Sequence, residues 1–485
     1  MNKKILSFLL LVSVFTGGYS QTVYTVDDVI NRALNQSPAA KQNETQKEIG
    51  YWQYVTYKGG YNPILRLTSS SNGYTKSFSP VTQPDGTIAY RPVNQTNPGL
   101  QLGLVQPIRW TNGTISANTS LNYYNNLVSS ESQWSGNIMN VSLSQPLFAF
   151  NPLKWNKRVQ PIVYEETKRN FAQQKEAISR ESITRFFDFL SAQVNLEIAT
   201  YNKANNDTIY RIAEGRYNIG TTGKGELLQV ELQKLRSEQD VASANLDLQT
   251  ARLRLRSYIG LNDLETFSLV LPDGIPQFVV TIDEALKYAK ENRAEYVAFM
   301  RRRIQADQGV AQARGSIYQT TITATYGLNK ADPTLQGVYN DPVSQQVVNL
   351  SLNVPLVTWG RNRATVETAL AQKQLNDYTI AQDEVNFEQE VITLVRRFET
   401  LRLQIEITKK SDEVALERYN VAQNRYLIGR IDITNLNIAL TEKDAARRSY
   451  IQALQDFWTA YYDLRRLTLY DFQTQRTLYT PEAEN

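Results

Sequence analysis

The chain has 485 residues, of which 41% are hydrophobic and 21% charged, and its formal net charge is +4. Basic and acidic residues are well mixed, so the sequence offers no basic stripe that would bind nucleic acid. It contains neither cysteine nor histidine, which excludes disulfides and a lipidated N-terminal cysteine and removes the commonest metal ligand and general base. We therefore expect no catalytic residues, no cofactor and no metal site.

The N-terminal segment has the pattern of a secretory signal peptide. Lys3 and Lys4 precede the apolar run Ile5–Phe15, and small residues then lead to Ser20. The apolar run is too short to span a bilayer as a helix. We predict a signal peptide over residues 1–20, removed by cleavage after Ser20.

Residues 21–260 form the first of two predicted repeats. Thr25 precedes acidic residues, which suits the N-terminus of a short helix. Alternating apolar and polar residues predict strands within about 61–147. The segment Ser77–Gly99, rich in Pro, Gly and Asn, is predicted to be a loop between two strands.

A proline-free stretch then predicts a pair of long helices. Residues 164–217 are rich in Ala, Leu, Gln, Glu and Arg, which are good helix formers, and can form a helix about 80 Å long. This helix is predicted to end at Gly220, because glycine favours helix C-termini. A return helix follows, with a heptad stripe of apolar residues over 241–258.

The second predicted repeat covers residues 281–470 and has the same order of elements. A short helix begins after Thr281, and strands follow at about 316–356. The stretch 363–426 then predicts a second long helix, which ends at Gly429 and is followed by a return helix.

Two further segments lie outside the repeats. Residues 261–280 contain prolines that interrupt both helical patterns, so this segment is predicted to connect the repeats. Residues 471–485 are predicted to form a short polar tail.

The two repeats share one register. The motif Arg-Tyr-x-Ile-Gly occurs at 216–220 and again at 425–429, and 425 − 216 = 209. The strand ends Gln145–Phe148 and Val354–Val357 differ by the same 209 residues. Since unrelated kinds of signal agree on one offset, the chain contains a tandem repeat of a strand-then-helix unit.

One chain has too few predicted strands to close a barrel and too few predicted helices to bury their apolar seam. The exported chain has no second hydrophobic run of transmembrane-helix length, so any membrane passage would have to use a closed β-barrel. Four to six strands do not close a barrel, which takes at least eight. Long helices with an Ala-rich seam likewise need neighbours, and we expect an obligate homo-oligomer.

The ordered set of features resembles the outer membrane efflux protein (TolC) family over about Tyr24–Asp471. The resemblance rests on the duplicated Arg-Tyr-x-Ile-Gly turns, the duplicated strand ends and the strand–helix order. It implies an α+β membrane protein with two tandem structural repeats per chain. The implied assembly is a homotrimer, with an outer-membrane β-barrel continued by a long periplasmic α-helical (coiled-coil) barrel.

The resemblance also implies a function and partners. Members of the family form the exit duct of a tripartite efflux pump or a type I secretion system and conduct substrates passively. The implied partners are a periplasmic adaptor (membrane fusion) protein, an inner-membrane transporter and outer-membrane lipid. The implied location is the cell outer membrane, with the helical domain in the periplasm.

Residues at the two glycine turns acquire roles from this resemblance. The turns would form the periplasmic tip, where adaptors dock and the tube narrows. The candidates for adaptor contact and gating are Arg216, Tyr217, Gly220, Arg425, Tyr426 and Gly429. The alternative is that each glycine only caps a helix and each Arg-Tyr pair only packs the last turn.

A constriction ring is the second implied site. Family members often carry aspartates just past the second turn, but here the usual acidic position is Asn435, with Asp432 one turn earlier. The repeat-mate of Asn435 in the first turn is Glu226. We hypothesise a weaker acidic ring of Asp432, Asn435 and Glu226, and the alternative is ordinary solvated charges at helix ends.

The first repeat contains an insertion. Thr25 to Pro146 is 121 residues but Thr281 to Pro355 only 74, a difference of 47. Within the excess, two alternating runs flank an Asn-Gly turn at Asn112, which predicts a β-hairpin. The hairpin either adds two strands, giving six per chain instead of the family's four, or folds back as a loop at the barrel rim.

Two other classes of protein remain as alternatives. An exported coiled-coil structural protein or adhesin without transport activity would use the same long helices. An enzyme is disfavoured, because no pair of carboxylates stands out from the helix-surface pattern.

Overall fold

A computed structural model describes residues 22–70, 74–261, 267–272 and 274–479. The helices are α1 (Val26–Gln36), α2 (Pro38–Gly59), α3 (Pro152–Asn218), α4 (Lys224–Tyr258), α5 (Ile282–Asn292), α6 (Ala294–Gly315), α7 (Leu335–Tyr339), α8 (Arg361–Leu427) and α9 (Ile433–Thr468). The strands are β1 (Thr22–Tyr24), β2 (Ile64–Ser70), β3 (Thr75–Thr82), β4 (Ile88–Thr96), β5 (Gly99–Ile108), β6 (Gly113–Asn126), β7 (Glu131–Leu147), β8 (Phe267–Leu269), β9 (Gln319–Asp332), β10 (Val343–Asn353), β11 (Tyr470–Asp471) and β12 (Arg476–Thr477). The predicted signal peptide, residues 1–20, lies outside the described residues.

The tandem repeat is present in the structure. Helices α3 and α8 contain 67 residues each, and their first residues differ by 361 − 152 = 209, as do their last residues. The short helices begin as predicted. Thr25 forms a capping box with Asp28, and the Thr281 hydroxyl accepts a hydrogen bond from the backbone N–H of Glu284.

The first long helix starts earlier than the sequence indicates. It begins at Pro152 and contains Pro161, whereas the proline-free stretch alone predicts a start near Tyr164. Pro152 fits the first helical position, where its missing N–H costs nothing. The Asn151 side chain accepts a hydrogen bond from the Lys154 backbone at 3.0 Å and caps the helix. Pro161 does remove one interior hydrogen bond, and the helix continues through it.

The described residues divide into two compact units. The first comprises the described parts of Met1–Glu44, Ala172–Ala289 and Val391–Asn485, and the second those of Thr45–Phe171 and Lys290–Glu390. Across the described part of the chain, no helix combines the length and apolar character of a membrane span.

An antiparallel sheet forms most of the second unit. Its strands run in the order β10-β9-β7-β6, and β5 and β2 continue it from β6. The β5–β6 hairpin predicted around Asn112 is present, and Asn112 occupies the left-handed region with φ 62°. Strand β4 joins β6 only through Gln95 and Thr96.

The two faces of this sheet differ in chemistry. Residues that are directly opposite one another on neighbouring strands share a face. One face is mainly apolar, with Leu65, Leu67, Leu100, Leu102, Leu104, Ile115, Val141, Leu143, Ile322, Leu350 and Leu352. The other carries hydroxyls and amides, with Thr68, Gln101, Ser116, Asn118, Asn140, Ser142, Thr323, Thr325, Asn349 and Ser351.

The segment predicted as a loop at Ser77–Gly99 contains the β3–β4 hairpin instead. Its turn includes Asp85 and Gly86, and Gly86 has φ 85°. An Asp-Gly pair between alternating residues is a hairpin signal, but Pro80 and Pro92 in the flanking strands mask it. Both prolines lie within strands that pair with each other on one side, a tolerated position at a sheet edge.

The core of the first unit is aromatic and aliphatic. Phe186, Phe187, Phe189, Leu255 and Phe457 are all fully buried. Strand β1 pairs in parallel with β8, so the predicted connector 261–280 adds a strand beside the start of the first repeat. The Gln193 side chain hydrogen-bonds both backbone groups of Leu269.

Residues 471–479 do not have the polar character that the predicted tail implies. The rest of the predicted tail, residues 480–485, lies outside the described residues. Phe472 is buried, as is Tyr479. Asp471 lies 3.3 Å from the Arg465 guanidinium, which also binds Glu176 through two hydrogen bonds. Burial raises the pKa of Glu176, although Arg465 opposes the shift. The segment is therefore anchored by a buried charge network.

Candidate functional site

The first turn, between α3 and α4, is closed by backbone hydrogen bonds. Thr221 N–H donates to the Arg216 carbonyl and Gly220 N–H to the Tyr217 carbonyl, both at 2.9 Å. Gly220 has φ 75°, which a residue with a Cβ adopts only at a cost. This pattern is a Schellman motif with glycine in the left-handed position.

The second turn, between α8 and α9, repeats this geometry. Arg430 N–H donates to the Arg425 carbonyl and Gly429 N–H to the Tyr426 carbonyl, again at 2.9 Å. Gly429 has φ 73°. The duplicated Arg-Tyr-x-Ile-Gly motif therefore encodes two helix ends of the same design.

Arg216 brings the two turns into contact. Its guanidinium donates to the Leu427 carbonyl at 2.9 Å and to the Tyr426 carbonyl at 3.4 Å. The same group lies 5.5 Å from the centroid of the Tyr426 ring. These carbonyls belong to the last turn of α8, where a cation is favoured by the helix dipole.

Tyr426 is the buried member of the predicted set. Its side chain is 1% exposed and packs with Ile433 and Leu436 of α9. Burial raises the pKa of the Tyr426 hydroxyl, the Glu226 carboxylate adds to the rise, and Arg216 opposes it. The hydroxyl has no hydrogen-bond partner within the described part of the chain.

The predicted constriction residues occupy two helix N-termini. Asp432 caps α9, because its carboxylate accepts hydrogen bonds from the backbone N–H of Asn435 at 2.9 Å and from its side-chain amide at 2.8 Å. Glu226 lies in the first turn of α4. The cap of α4 is Gly223, which provides no side-chain acceptor.

Other predicted residues are not brought into this contact. Arg425 is exposed, and Tyr217 is 39% exposed. Sequence reasoning also passed over the isoleucine of each motif, although Ile219 is 74% exposed and Ile428 66% exposed. Their duplication in the motif was the available signal.

A buried polar cluster on α3, α8 and α9 was also missed. The Lys443 ammonium lies 3.2 Å from Asp444 and 4.6 Å from the centroid of the Tyr419 ring, and the Tyr201 ring is 4.9 Å away. Asn202 donates to Asp444 at 2.7 Å. The apolar periodicity of α9 puts positions 443 and 444 on its buried face, which was the signal for this cluster.

The cluster has a counterpart in the first repeat. Lys234 lies 5.1 Å from the centroid of the Tyr210 ring, and both 443 − 234 and 419 − 210 equal 209. The Lys234 side chain is 34% exposed, whereas that of Lys443 is 10% exposed. The same lysine–tyrosine contact therefore occurs in both repeats. Its lysine is partly exposed in the first repeat and buried in the second.

Comparisons with known proteins agree with this architecture. The Campylobacter jejuni CmeC outer membrane channel is 14% identical, with 91% of this chain and 85% of that chain covered and a TM-score of 0.67. The Neisseria gonorrhoeae MtrE outer membrane channel in its open state is 17% identical, with 91% and 88% covered and a TM-score of 0.60. A membrane protein from Pseudomonas aeruginosa is 15% identical, with 93% and 92% covered and a TM-score of 0.67. At these identities the likeness is one of fold.

None of the curated proteins matches the chain. The model of the family described as "Outer membrane efflux protein" matches residues 112–261 and 285–468, which is more than half of the chain and includes both turns. The two matched ranges fall in the two repeats. The chain therefore belongs to the outer membrane efflux protein family, and its place is the outer membrane with the helical domain in the periplasm.

Proposed function

We propose that this chain forms the exit duct of a tripartite efflux pump or a type I secretion system. As a homotrimer it conducts substrates passively to the exterior, without a catalytic step of its own. The proposal rests on one observation. In each repeat, an amphipathic strand is followed directly by a helix of 67 residues. Such a helix is about 100 Å long, which suits a tube that extends far into the periplasm.

The sheet supports the membrane part of this proposal. Its apolar face is the surface that lipid requires, and its face of hydroxyls and amides suits a water-filled lumen. Leu67 and Leu350 remain 69% and 68% exposed in the single chain, as lipid-facing residues do. Six strands of one chain lie side by side, in the order β10, β9, β7, β6, β5 and β2, and six are too few to close a ring, so several copies contribute.

The long helices support the homotrimer independently. Helix α4 has exposed leucines at heptad spacing, namely Leu228, Leu232, Leu235, Leu246 and Leu253. A stripe of this kind is the seam of a coiled coil whose partner helix is missing from the single chain. Neighbouring copies of the chain are the partners that we propose for it.

We assign the exposed part of the two turns to the periplasmic adaptor. Tyr217, Ile219, Ile428 and Arg425 are accessible at the two helix ends. They combine apolar side chains with a cation, a composition found in protein interfaces. The adaptor would link the duct to an inner-membrane transporter, which supplies the energy.

We assign the gate to the contact between the turns. Arg216 ties the first turn to the last carbonyls of α8, so its loss should release the two helix ends from each other. The expected result of Arg216→Ala is a higher conductance in planar bilayers. Its repeat-mate variant, Arg425→Ala, is the matched control because that side chain is exposed. Equal conductance of the two variants would contradict the assignment.

The constriction ring of Glu226, Asp432 and Asn435 has its own test. Two carboxylates per chain make a weak acidic ring, which favours cations. The double variant Asp432→Asn with Glu226→Gln should lose most of the cation preference in reversal-potential measurements. Unchanged selectivity would assign both groups to helix-end stabilisation alone.

The assembly itself is tested by the mass of the mature protein extracted from outer membranes in mild detergent. A trimer is the expected result. A monomer, or protein found only in the soluble periplasm, would contradict the duct and favour an exported coiled-coil scaffold.

A further inference from the structure

The six strands of the second unit that lie side by side from β2 to β10 have two outer edges. Among the described residues, β2 pairs only with β5, and β10 pairs only with β9. Their outer backbone N–H and C=O groups need partners wherever the strands lie in a bilayer, because lipid offers none. The missing partner of each edge is therefore a strand.

The two edges match each other in direction. The strands β10, β9, β7, β6, β5 and β2 are each antiparallel to the next. Since their number is even, β2 of one copy meets β10 of the next copy in antiparallel orientation, as membrane barrels require. Four strands per copy is also an even number. Strand direction alone therefore does not exclude a smaller ring, built from four strands of each copy.

The position of β5 favours six strands. All ten residues of β5 pair with β6, from Gly99 opposite Asn122 to Ile108 opposite Gly113. A ring of four strands per copy would need this side of β6 for the neighbouring copy. It would therefore have to break the whole β5–β6 ladder.

The register follows from the row of directly opposite residues together with the strand tilt of a closed barrel. Residues directly across the sheet form a row that starts at Leu65 and reaches Gln346 through Leu104, Ala117, Val141 and Tyr326. A tilt of about 36°, the lower end of the range of about 35–45° in closed barrels, corresponds to a stagger of about one residue per strand, or about six over six strands. Six residues from Gln346 in one direction is Leu352, and in the other direction it is position 340, which lies outside β10.

This register satisfies two further conditions. It puts Leu65 opposite Leu352 and Leu67 opposite Leu350, so the apolar face continues across the boundary. It also puts Ile64, the first residue of β2, opposite Asn353, the last residue of β10. The whole of β2 is then paired, and the ends nearest to α2 and α8 meet.

We propose that β2 of one copy pairs with β10 of the next in this register, so that three copies close a ring of eighteen strands. The partner that this edge takes is a second copy of this chain. The inference rests on the proposed function, since it takes the homotrimer and its membrane location from there. It goes further by assigning the strands, the residues and the size of the ring.

Engineered disulfides test the proposal, because the natural chain contains no cysteine. The variant Leu67→Cys with Leu350→Cys places two thiols directly opposite each other at the proposed boundary. Cα atoms of opposite residues in an antiparallel pair lie about 4.5–5.5 Å apart, within disulfide range. After mild oxidation of outer membranes, non-reducing electrophoresis should show linked dimers and trimers that a reductant converts to monomers. A second pair, Thr68→Cys with Asn349→Cys, tests the same register on the polar face.

Two matched controls define the outcome. Leu67→Cys with Asn349→Cys puts the thiols on opposite faces of the sheet, so it should remain monomeric in the gel. Ala117→Cys with Leu350→Cys is the pair that a ring of four strands per copy would bring together. Linkage of that pair, or the absence of linkage for both proposed pairs in protein that is still trimeric in detergent, overturns the proposal. Monomeric protein in detergent instead overturns the proposed function.

Discussion

The two helix turns have the same backbone and different surroundings. Both close with hydrogen bonds of 2.9 Å around a glycine of nearly equal φ. In the second turn, however, Tyr426 is buried and Asp432 caps α9, and farther along that helix Lys443 lies in a polar cluster. In the first turn, Tyr217 is partly exposed and Gly223 gives no side-chain cap.

This difference shows what a duplicated motif specifies. The local sequence fixes how each helix ends, because the Schellman hydrogen bonds and the left-handed glycine involve only neighbouring residues. Packing and capping depend on what surrounds the turn. The second turn should therefore be the firmly anchored one, and matched substitutions in the two turns can test this.

The largest difference is expected at the repeated lysines. Lys443→Met leaves Asp444 buried without its cation, which should cost about 3–5 kcal/mol, whereas Lys234→Met removes a partly exposed charge and should cost less than about 1 kcal/mol. Amide hydrogen exchange around Lys443 in α9 and around Lys234 in α4 measures both. Similar losses of protection would show that the two environments are equivalent.

The tyrosines should differ almost as much. Tyr426→Ala removes a buried ring and should destabilise the second turn by about 3–5 kcal/mol. Tyr217→Ala changes a partly exposed side chain, and its effect should stay within about 0.5 kcal/mol. Thermal unfolding in detergent, followed by circular dichroism, compares the two variants, and a large effect of Tyr217→Ala would indicate packing that the single chain lacks.

The glycines should behave alike. A Cβ added at Gly220 or at Gly429 meets no atom within 4 Å, so the cost is that of the left-handed conformation, about 1–2 kcal/mol. Gly220→Ala and Gly429→Ala should therefore lower the unfolding free energy equally. A clear inequality would mean that the two backbones are constrained differently.

Substitutions at the N-terminal caps of α9 and α4 should have smaller effects on stability, and the two effects should have opposite signs. Asp432→Ala removes the acceptor at the start of α9 and should cost about 1 kcal/mol. Gly223→Asp supplies an acceptor at the start of α4, where the gain over glycine should be a few tenths of a kcal/mol. Exchange rates of the first amides of α9 and α4 report the two changes. If Gly223→Asp lowered protection, the first turn would need its glycine for another reason.

The smallest effect is expected for Tyr426→Phe. The hydroxyl is buried without a hydrogen-bond partner among the described residues, so its removal relieves an unmet desolvation cost. Stability should be unchanged or slightly raised, within about 0.5 kcal/mol. A loss of more than 1 kcal/mol would reveal a bound water or a partner from another copy.

Much of the fold could be predicted because its signals are local. The 209-residue offset located both 67-residue helices and both turns, and alternation located the paired strands. The early start of α3 escaped because Pro152 and Pro161 argue against a helix, and the capping by Asn151 is visible only in three dimensions. The β3–β4 hairpin escaped because prolines hid its Asp-Gly turn.

The site was less predictable because its contacts are distant in sequence. The motif identified both glycines, but the bonds from Arg216 reach residues 210 and 211 positions away. The burial of Lys443 depends in the same way on Tyr201 and Tyr419 of two other helices. Neither pairing has a local signature.

The anchored segment after α9 has a practical consequence for handling the protein. A gene shortened just after Thr468 would remove Asp471, Phe472 and Tyr479 and leave the Arg465–Glu176 pair without its third charge. An affinity tag inserted at that point would have to displace these side chains. Tags and truncations are best placed beyond Tyr479, and a library of shortened chains should show a sharp loss of yield once the cut passes Asp471.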